Sequence, residues 1–108
     1  IYTGTHDNNT TRGWWKEASP ELRRNVCRYL GFESNEENIA ANLTRLAWMS
    51  SSSLAITPLQ DLLNLEGNCR MNLPGTISGN WIWRCTARQF DALNPNLLRE
   101  WNEISGRA

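Results

Sequence analysis

Neither charge predominates in this sequence: 11 basic and 11 acidic side chains leave a net charge of zero over 108 residues. A nucleic-acid binder needs a basic stripe to displace counterions from phosphates, and none is present. The densest basic group, Arg23, Arg24 and Arg28, has helical spacing and is expected to form a solvated helix face. Cysteine is scarce. Cys27, Cys69 and Cys85 are odd in number, widely spaced and without a C-x-x-C pair. That argues against a disulfide framework and a zinc knuckle, and it predicts reduced thiols in a cytoplasmic setting. No apolar run approaches the roughly 18 residues that cross a bilayer, so no membrane partner is expected. The opening Ile1-Tyr2-Thr3-Gly4 lacks the charged start and apolar stretch of a secretory leader. It does not begin with Met either, and it reads as the interior of a longer chain.

What is present fits one domain or a piece of one, with 40% apolar residues and six Trp to build a modest core. Ile1–Thr3 suits the tail of a short buried strand, and residues 4–9 are polar and small enough for a loop. Thr10 or Thr11 is placed to cap a short helix carrying Trp14 and Trp15. Ser19 before Pro20 opens a second helix, whose apolar face is Leu22, Val26, Tyr29 and Leu30 and whose stop is Gly31. Ser34 with Glu37 forms a capping-box pattern ahead of the stripe Ile39, Leu43, Leu46 and Ala47. The run Leu54-Ala55-Ile56-Thr57, closed by Pro58, suits a strand buried on both faces. Residues 58–65 have room for one or two helical turns. Residues 66–84, rich in Gly, Asn, Pro and Trp, show no clean period and read as a long structured loop. Thr86 with Gln89 is another capping box. Asn94 before Pro95 starts a last helix with Leu97, Leu98, Trp101 and Ile104 on one side and Gly106 at its end. Two strands separated by helices match a pair of βα units of a barrel. A small helical domain is the alternative.

Two polar clusters carry the candidate chemistry. His6 and Asp7 directly follow the first strand, at the end where a (β/α) barrel keeps its active site. Asn8 extends that cluster. Trp14 and Trp15 add flat apolar faces beside it, and a sugar needs both faces to stack on and partners for its hydroxyls. Adjacent Trp residues on a helix diverge by about 100°, so at least one of them belongs to the core. The second cluster follows the second strand: Gln60-Asp61, then residues 70–76, then residues 79–84. Its amide, Arg and Trp groups suit a neutral polyhydroxylated ligand. Each also has a structural reading: Trp81 and Trp83 bracing the loop, Arg84 pairing with a carboxylate, Asp61 capping a helix.

These segments resemble amylomaltase-type 4-α-glucanotransferases, the disproportionating relatives of the α-amylase superfamily. The resemblance rests on YTGTHDNNTTRGWW at 2–15, PLQDLL at 58–63, RMNLPGT at 70–76 and NWIWR at 80–84. It covers nearly the whole chain. It implies an α/β fold, the C-terminal portion of a TIM barrel holding the last two βα units and mostly helical by itself. Residues 1–108 would then be one segment of the catalytic barrel without a separate linker. It implies a retaining transfer of an α-1,4-glucan segment to the 4-hydroxyl of an acceptor glucan or glucose, with no cofactor. Asp7 resembles the carboxylate that grips hydroxyls of the reacting ring, and His6 the imidazole beside it. Asn8, Trp14, Asn72, Pro74, Gly75 and Trp81 are the implied substrate contacts. No segment matches the family's nucleophilic Asp or acid/base Glu. The chain is therefore expected to be inactive alone and to need the N-terminal remainder of the barrel. Two other readings stay open: a non-catalytic helical glucan-binding module using Trp14, Trp81 and Trp83, and an α-glucan hydrolase of the same superfamily.

Overall fold

The computed structural model describes residues 1–107. Its helices are α1 (Thr11–Glu17), α2 (Pro20–Leu30), α3 (Ile39–Trp48), α4 (Leu59–Leu62), α5 (Ala87–Asp91) and α6 (Pro95–Ile104), with a 3₁₀ turn at Gly67–Cys69. Most of the expected caps form. The Thr10, Ser19 and Asn94 side chains each accept a backbone N–H three residues on, at 3.1 Å. Thr86 and Gln89 make the reciprocal box, at 3.1 and 2.9 Å. Gly31 ends α2 at φ 87°, the left-handed conformation that glycine enters most readily.

The start of α3 differs from the expectation. The reciprocal pair is Asn35 and Asn38, one residue later than Ser34 and Glu37. Asn38 Oδ1 accepts from Asn35 N at 2.8 Å, and Asn35 Oδ1 accepts from Glu37 N and Asn38 N at 2.8 and 3.2 Å. Glu37 is drawn instead to the Arg12 guanidinium, 3.4 Å away, and the Ser34 hydroxyl accepts from Asn42 Nδ2 at 3.0 Å. Regular helix then begins at Ile39.

The core is built around α3, which packs against α1, α4 and α6. Ile39, Ala40, Thr44 and Ala47 supply its buried stripe, with Trp15 from α1, Gln60 and Asp61 from α4, and Trp101 from α6. The buried Thr44 hydroxyl donates to the Ala40 carbonyl at 2.8 Å, so it carries no unmet hydrogen bond. Leu46, expected in the stripe, is exposed; Thr44 takes the inward position. The α2 face is also open: none of its residues is buried, and Tyr29 is 78% exposed. Arg23 is not the solvated group expected of it. It donates to the Trp15 and Lys16 carbonyls at 2.9 and 2.7 Å and lies over the Trp15 ring. A cation is favoured there because α1 presents its last carbonyls and the negative pole of its dipole at that end.

The two expected strands are reduced to one parallel bridge, Tyr2 with Ile56. Ile56 N donates to Ile1 O at 3.0 Å and Thr3 N donates to Ile56 O at 3.3 Å. They are not buried as expected: Tyr2, Leu54 and Ile56 are 60, 63 and 52% exposed. A parallel pair hides its side chains only when other strands and helices flank it. Among the described residues these three have no such cover. The bridge still fixes one thing the site depends on. Both segments run the same way, so the loops after Thr3 and after Ile56 leave from the same end.

Candidate functional site

Those two loops meet. The main chains join first: Asn72 N donates to the His6 carbonyl at 3.1 Å. Side chains then cross the same gap. Asn72 Nδ2 donates to Asp7 Oδ1 at 2.7 Å, and His6 Nε2 lies 3.3 Å from that oxygen. Arg70 ties both loops: its Nη2 donates to the Asp7 carbonyl at 2.9 Å and its Nε to the Asn72 carbonyl at 3.0 Å. Asp7 Oδ2 has no partner among the described residues, and the Asp7 side chain is 52% exposed. One carboxylate oxygen is thus fixed and the other is free to accept.

Trp81 completes the group at a conformational cost. Its φ of 61° lies in the left-handed region, unusual for a bulky side chain and worth about 1–3 kcal/mol of strain. Its N–H donates to the Met71 carbonyl at 2.6 Å, which holds the turn. The indole then sits 5.0 Å from the His6 ring, tilted by 38°. Pro74 and Gly75 form the turn that returns the chain. Thr76 N donates to the Leu73 carbonyl at 3.2 Å, and Gly75 at φ 83° is the residue that lets this turn close. Asn80 locks it further, accepting from Leu73 N at 2.8 Å and donating to Thr76 Oγ1 at 2.8 Å.

His6, Asn8, Arg70 and Trp81, with Gln60 and Asp61, line an open cavity of about 320 Å³, and Asp7 and Asn72 adjoin these residues in the chain without lining it. A larger groove of about 710 Å³ runs along α2 past Arg24, Cys27, Arg28 and Phe32, and no residue of the loops 4–9 or 70–81 lines it. Of the residues singled out in the sequence, the structure brings His6, Asp7, Asn72 and Trp81 together. Asn8 is half committed: its Oδ1 accepts from Thr5 N and Thr5 Oγ1 at 2.7 and 3.0 Å, which closes the loop. Trp14 stands apart, lining a separate cleft with Thr3, Asn9 and Leu43. Its neighbour Trp15 is the buried member of the pair. Arg84 pairs with no carboxylate; it donates to the Trp81 and Trp83 carbonyls at 3.2 and 2.9 Å. Carbonyls left unpaired in an irregular loop are the nearer acceptors.

Asp61 proves structural. It is 4% exposed, and both oxygens are occupied. Oδ1 accepts from Thr11 N at 2.8 Å; Oδ2 accepts from the Thr11 and Thr3 hydroxyls at 2.7 and 3.2 Å. It caps α1 from another part of the chain. Sequence reading placed Arg70 only within the cluster suited to a polyhydroxylated ligand and did not foresee its two backbone carbonyl partners. It also passed over Asn9. A Cβ on Gly13 would lie 2.6 Å from Asn9 Oδ1, and one on Gly67 2.8 Å from it. A glycine inside α1 is the visible sign of that close approach.

The sequence profile of the 4-alpha-glucanotransferase family matches residues 1–89. The chain belongs to this family. A 4-alpha-glucanotransferase of Synechocystis sp. is 50% identical over 101 residues, covering 94% of this chain and 18% of that protein. One of Thermus thermophilus is 39% identical, over 99% of this chain and 22% of its own length. Among solved structures, an amylomaltase from Streptococcus agalactiae in complex with acarbose superposes with a TM-score of 0.90 at 33% identity. That match covers 99% of this chain and 21% of the amylomaltase. The chain therefore spans about a fifth of the length of these relatives. It has the fold of the corresponding part of an amylomaltase and is, as described above, a small and mostly helical piece. Among the described residues no helix is long and apolar enough to cross a membrane.

Proposed function

We propose that this chain forms one wall of the glucan site of a 4-α-glucanotransferase and works as part of a longer enzyme. In this reading it supplies the last two βα units of a TIM barrel, and residues 1–108 act as a single segment. Asp7 and His6 are the catalytic pair at the reacting glucose ring. The free Oδ2 of Asp7 accepts from ring hydroxyls, and the bond strengthens as the ring flattens toward its oxocarbenium-like state. Trp81 offers a stacking face, Asn8 and Asn72 offer amides, and Pro74-Gly75 shapes the loop. Trp14 contributes a stacking face further along the chain of sugars. The substrate is an α-1,4-glucan, the acceptor another glucan or glucose, and no cofactor takes part. The nucleophile and the acid/base are two further carboxylates from the remainder of the enzyme. The exposed apolar side chains of Tyr2, Leu54 and Ile56 are where the rest of the sheet would sit. A cytoplasmic setting accords with the three free thiols, although a potato relative is named chloroplastic/amyloplastic.

The observation that carries this reading is the convergence of Asp7, His6, Asn72 and Trp81 from two loops at one end of a parallel pair. A chimera tests it: the Synechocystis enzyme carrying this chain in place of its own 101-residue match. The chimera should convert maltotriose into glucose and longer maltooligosaccharides. A folded chimera that only hydrolyses, or does nothing, contradicts the transferase reading. The isolated chain should bind maltoheptaose only weakly, since half a cleft buries little of a glucan; tight binding would favour a self-sufficient binding module.

A further inference from the structure

We propose that Arg70 is a positioning residue for the reaction, acting on Asp7 through Asn72; this rests on the reading of Asp7 as the ring-gripping carboxylate. Arg70 forms no ion pair among the described residues. Its charge and planar fork are spent on two backbone carbonyls from different loops. Nη2 holds the Asp7 carbonyl at 2.9 Å and Nε holds the Asn72 carbonyl at 3.0 Å. A guanidinium spans two acceptors at fixed geometry, which a lone ammonium on a flexible stem cannot match. The two residues it joins are the ones whose side chains meet, Asn72 Nδ2 to Asp7 Oδ1 at 2.7 Å.

The link has a chemical consequence. Asp7 is exposed and lies on a six-residue polar loop, so its carboxylate is free to rotate unless something holds it. Asn72 occupies Oδ1, with His6 Nε2 at 3.3 Å, and leaves Oδ2 for the sugar. Asn72 itself follows an irregular segment and needs an anchor. The main-chain bond from Asn72 N to the His6 carbonyl is one, and Arg70 is the other. Without Arg70 the carboxamide shifts, Oδ1 is released, and the carboxylate loses its fixed direction. Loss of alignment near the reacting centre costs about 100-fold in rate for a displacement of about 1 Å.

The test is kinetic, in the chimera. Arg70→Gln should lower kcat for maltotriose disproportionation by about 100-fold while KM changes little, because the alignment matters most in the transition state. Arg70→Lys keeps the charge and the fold and should still lose at least about tenfold. The double variant Arg70→Gln with Asn72→Ala should be no slower than Asn72→Ala alone, since both remove one device. Unchanged kcat in Arg70→Lys, or losses that multiply in the double variant, would overturn the proposal. Asp7→Ala, run beside them, separates the two ideas. If it stays active the glucan reading fails; if it is inactive while Arg70→Lys is fully active, only the role of Arg70 fails.

Discussion

Asp7 and Asp61 follow the two parallel segments of the same bridge, and they end in opposite surroundings. Asp61 lies under α1, 4% exposed, with three donors on its two oxygens. Asp7 lies on an open loop, half exposed, with one oxygen held by Asn72 and the other free. Asp61 shares a narrow cleft with Ala41, Leu62, Leu97, Leu98 and Trp101 from α3, α4 and α6, and it also borders the cavity by His6. The region around Asp7 is closed by nothing but hydrogen bonds and one strained indole. A buried carboxylate with both oxygens bonded within the chain is architecture. One that is aimed and left with spare capacity is available to a ligand.

The sharpest way to break that contrast is to remove each carboxylate in the chimera. Asp7→Ala should abolish most transfer, a loss of several kcal/mol of transition-state stabilisation and at least about 100-fold in kcat. Its unfolding free energy should stay within about 0.5 kcal/mol of the parent, as for other exposed sites. Asp61→Ala should do the reverse. It strands the Thr11 N–H and two hydroxyls and should lower stability by about 3 kcal/mol, seen as an earlier urea midpoint. Equal stability losses from the two would erase the distinction.

Smaller effects sharpen it. Gly13→Ala sits in a helix, where alanine normally gains about 1 kcal/mol. Here its Cβ would lie 2.6–2.9 Å from Asn9 side-chain atoms, so a net loss of about 1–3 kcal/mol is expected in the same unfolding experiment. Trp81→Gly relieves a left-handed φ of 61°, so stability should hold or rise by up to about 1 kcal/mol. Transfer should fall all the same, by up to about tenfold, because the face beside His6 is gone. A stable variant with normal rates would make that strain purely structural.

Local signals made most helices legible. Ser19-Pro20, Thr86 with Gln89, and Asn94-Pro95 each encode their own start, because a cap is satisfied within four residues. The start of α3 was not legible in the same way. Its pattern Ser34–Glu37 is locally as good as Asn35–Asn38, and the deciding partner, Arg12, is distant in sequence. The inward position of Thr44 was missed for a related reason: its hydroxyl is satisfied by its own helix, so it packs as an apolar residue would. At the site, His6, Asp7, Asn72 and Trp81 stood out by type and by their place after the two extended segments. Their direct contact depends on bonds spanning some 65 positions, which no local pattern contains. The bridging role of Arg70 was not legible because its acceptors are backbone carbonyls, which leave no trace in residue type.

The central claim is that Asp7 is held by one oxygen so that the other can take a sugar. A crystal structure of the chimera with bound acarbose tests it most directly. The account predicts a ring hydroxyl within about 2.5–3.0 Å of Asp7 Oδ2, with Asn72 still donating to Oδ1. A ring bound out of reach of Asp7, or an Asn72 amide turned away from the carboxylate and onto the sugar, would contradict it.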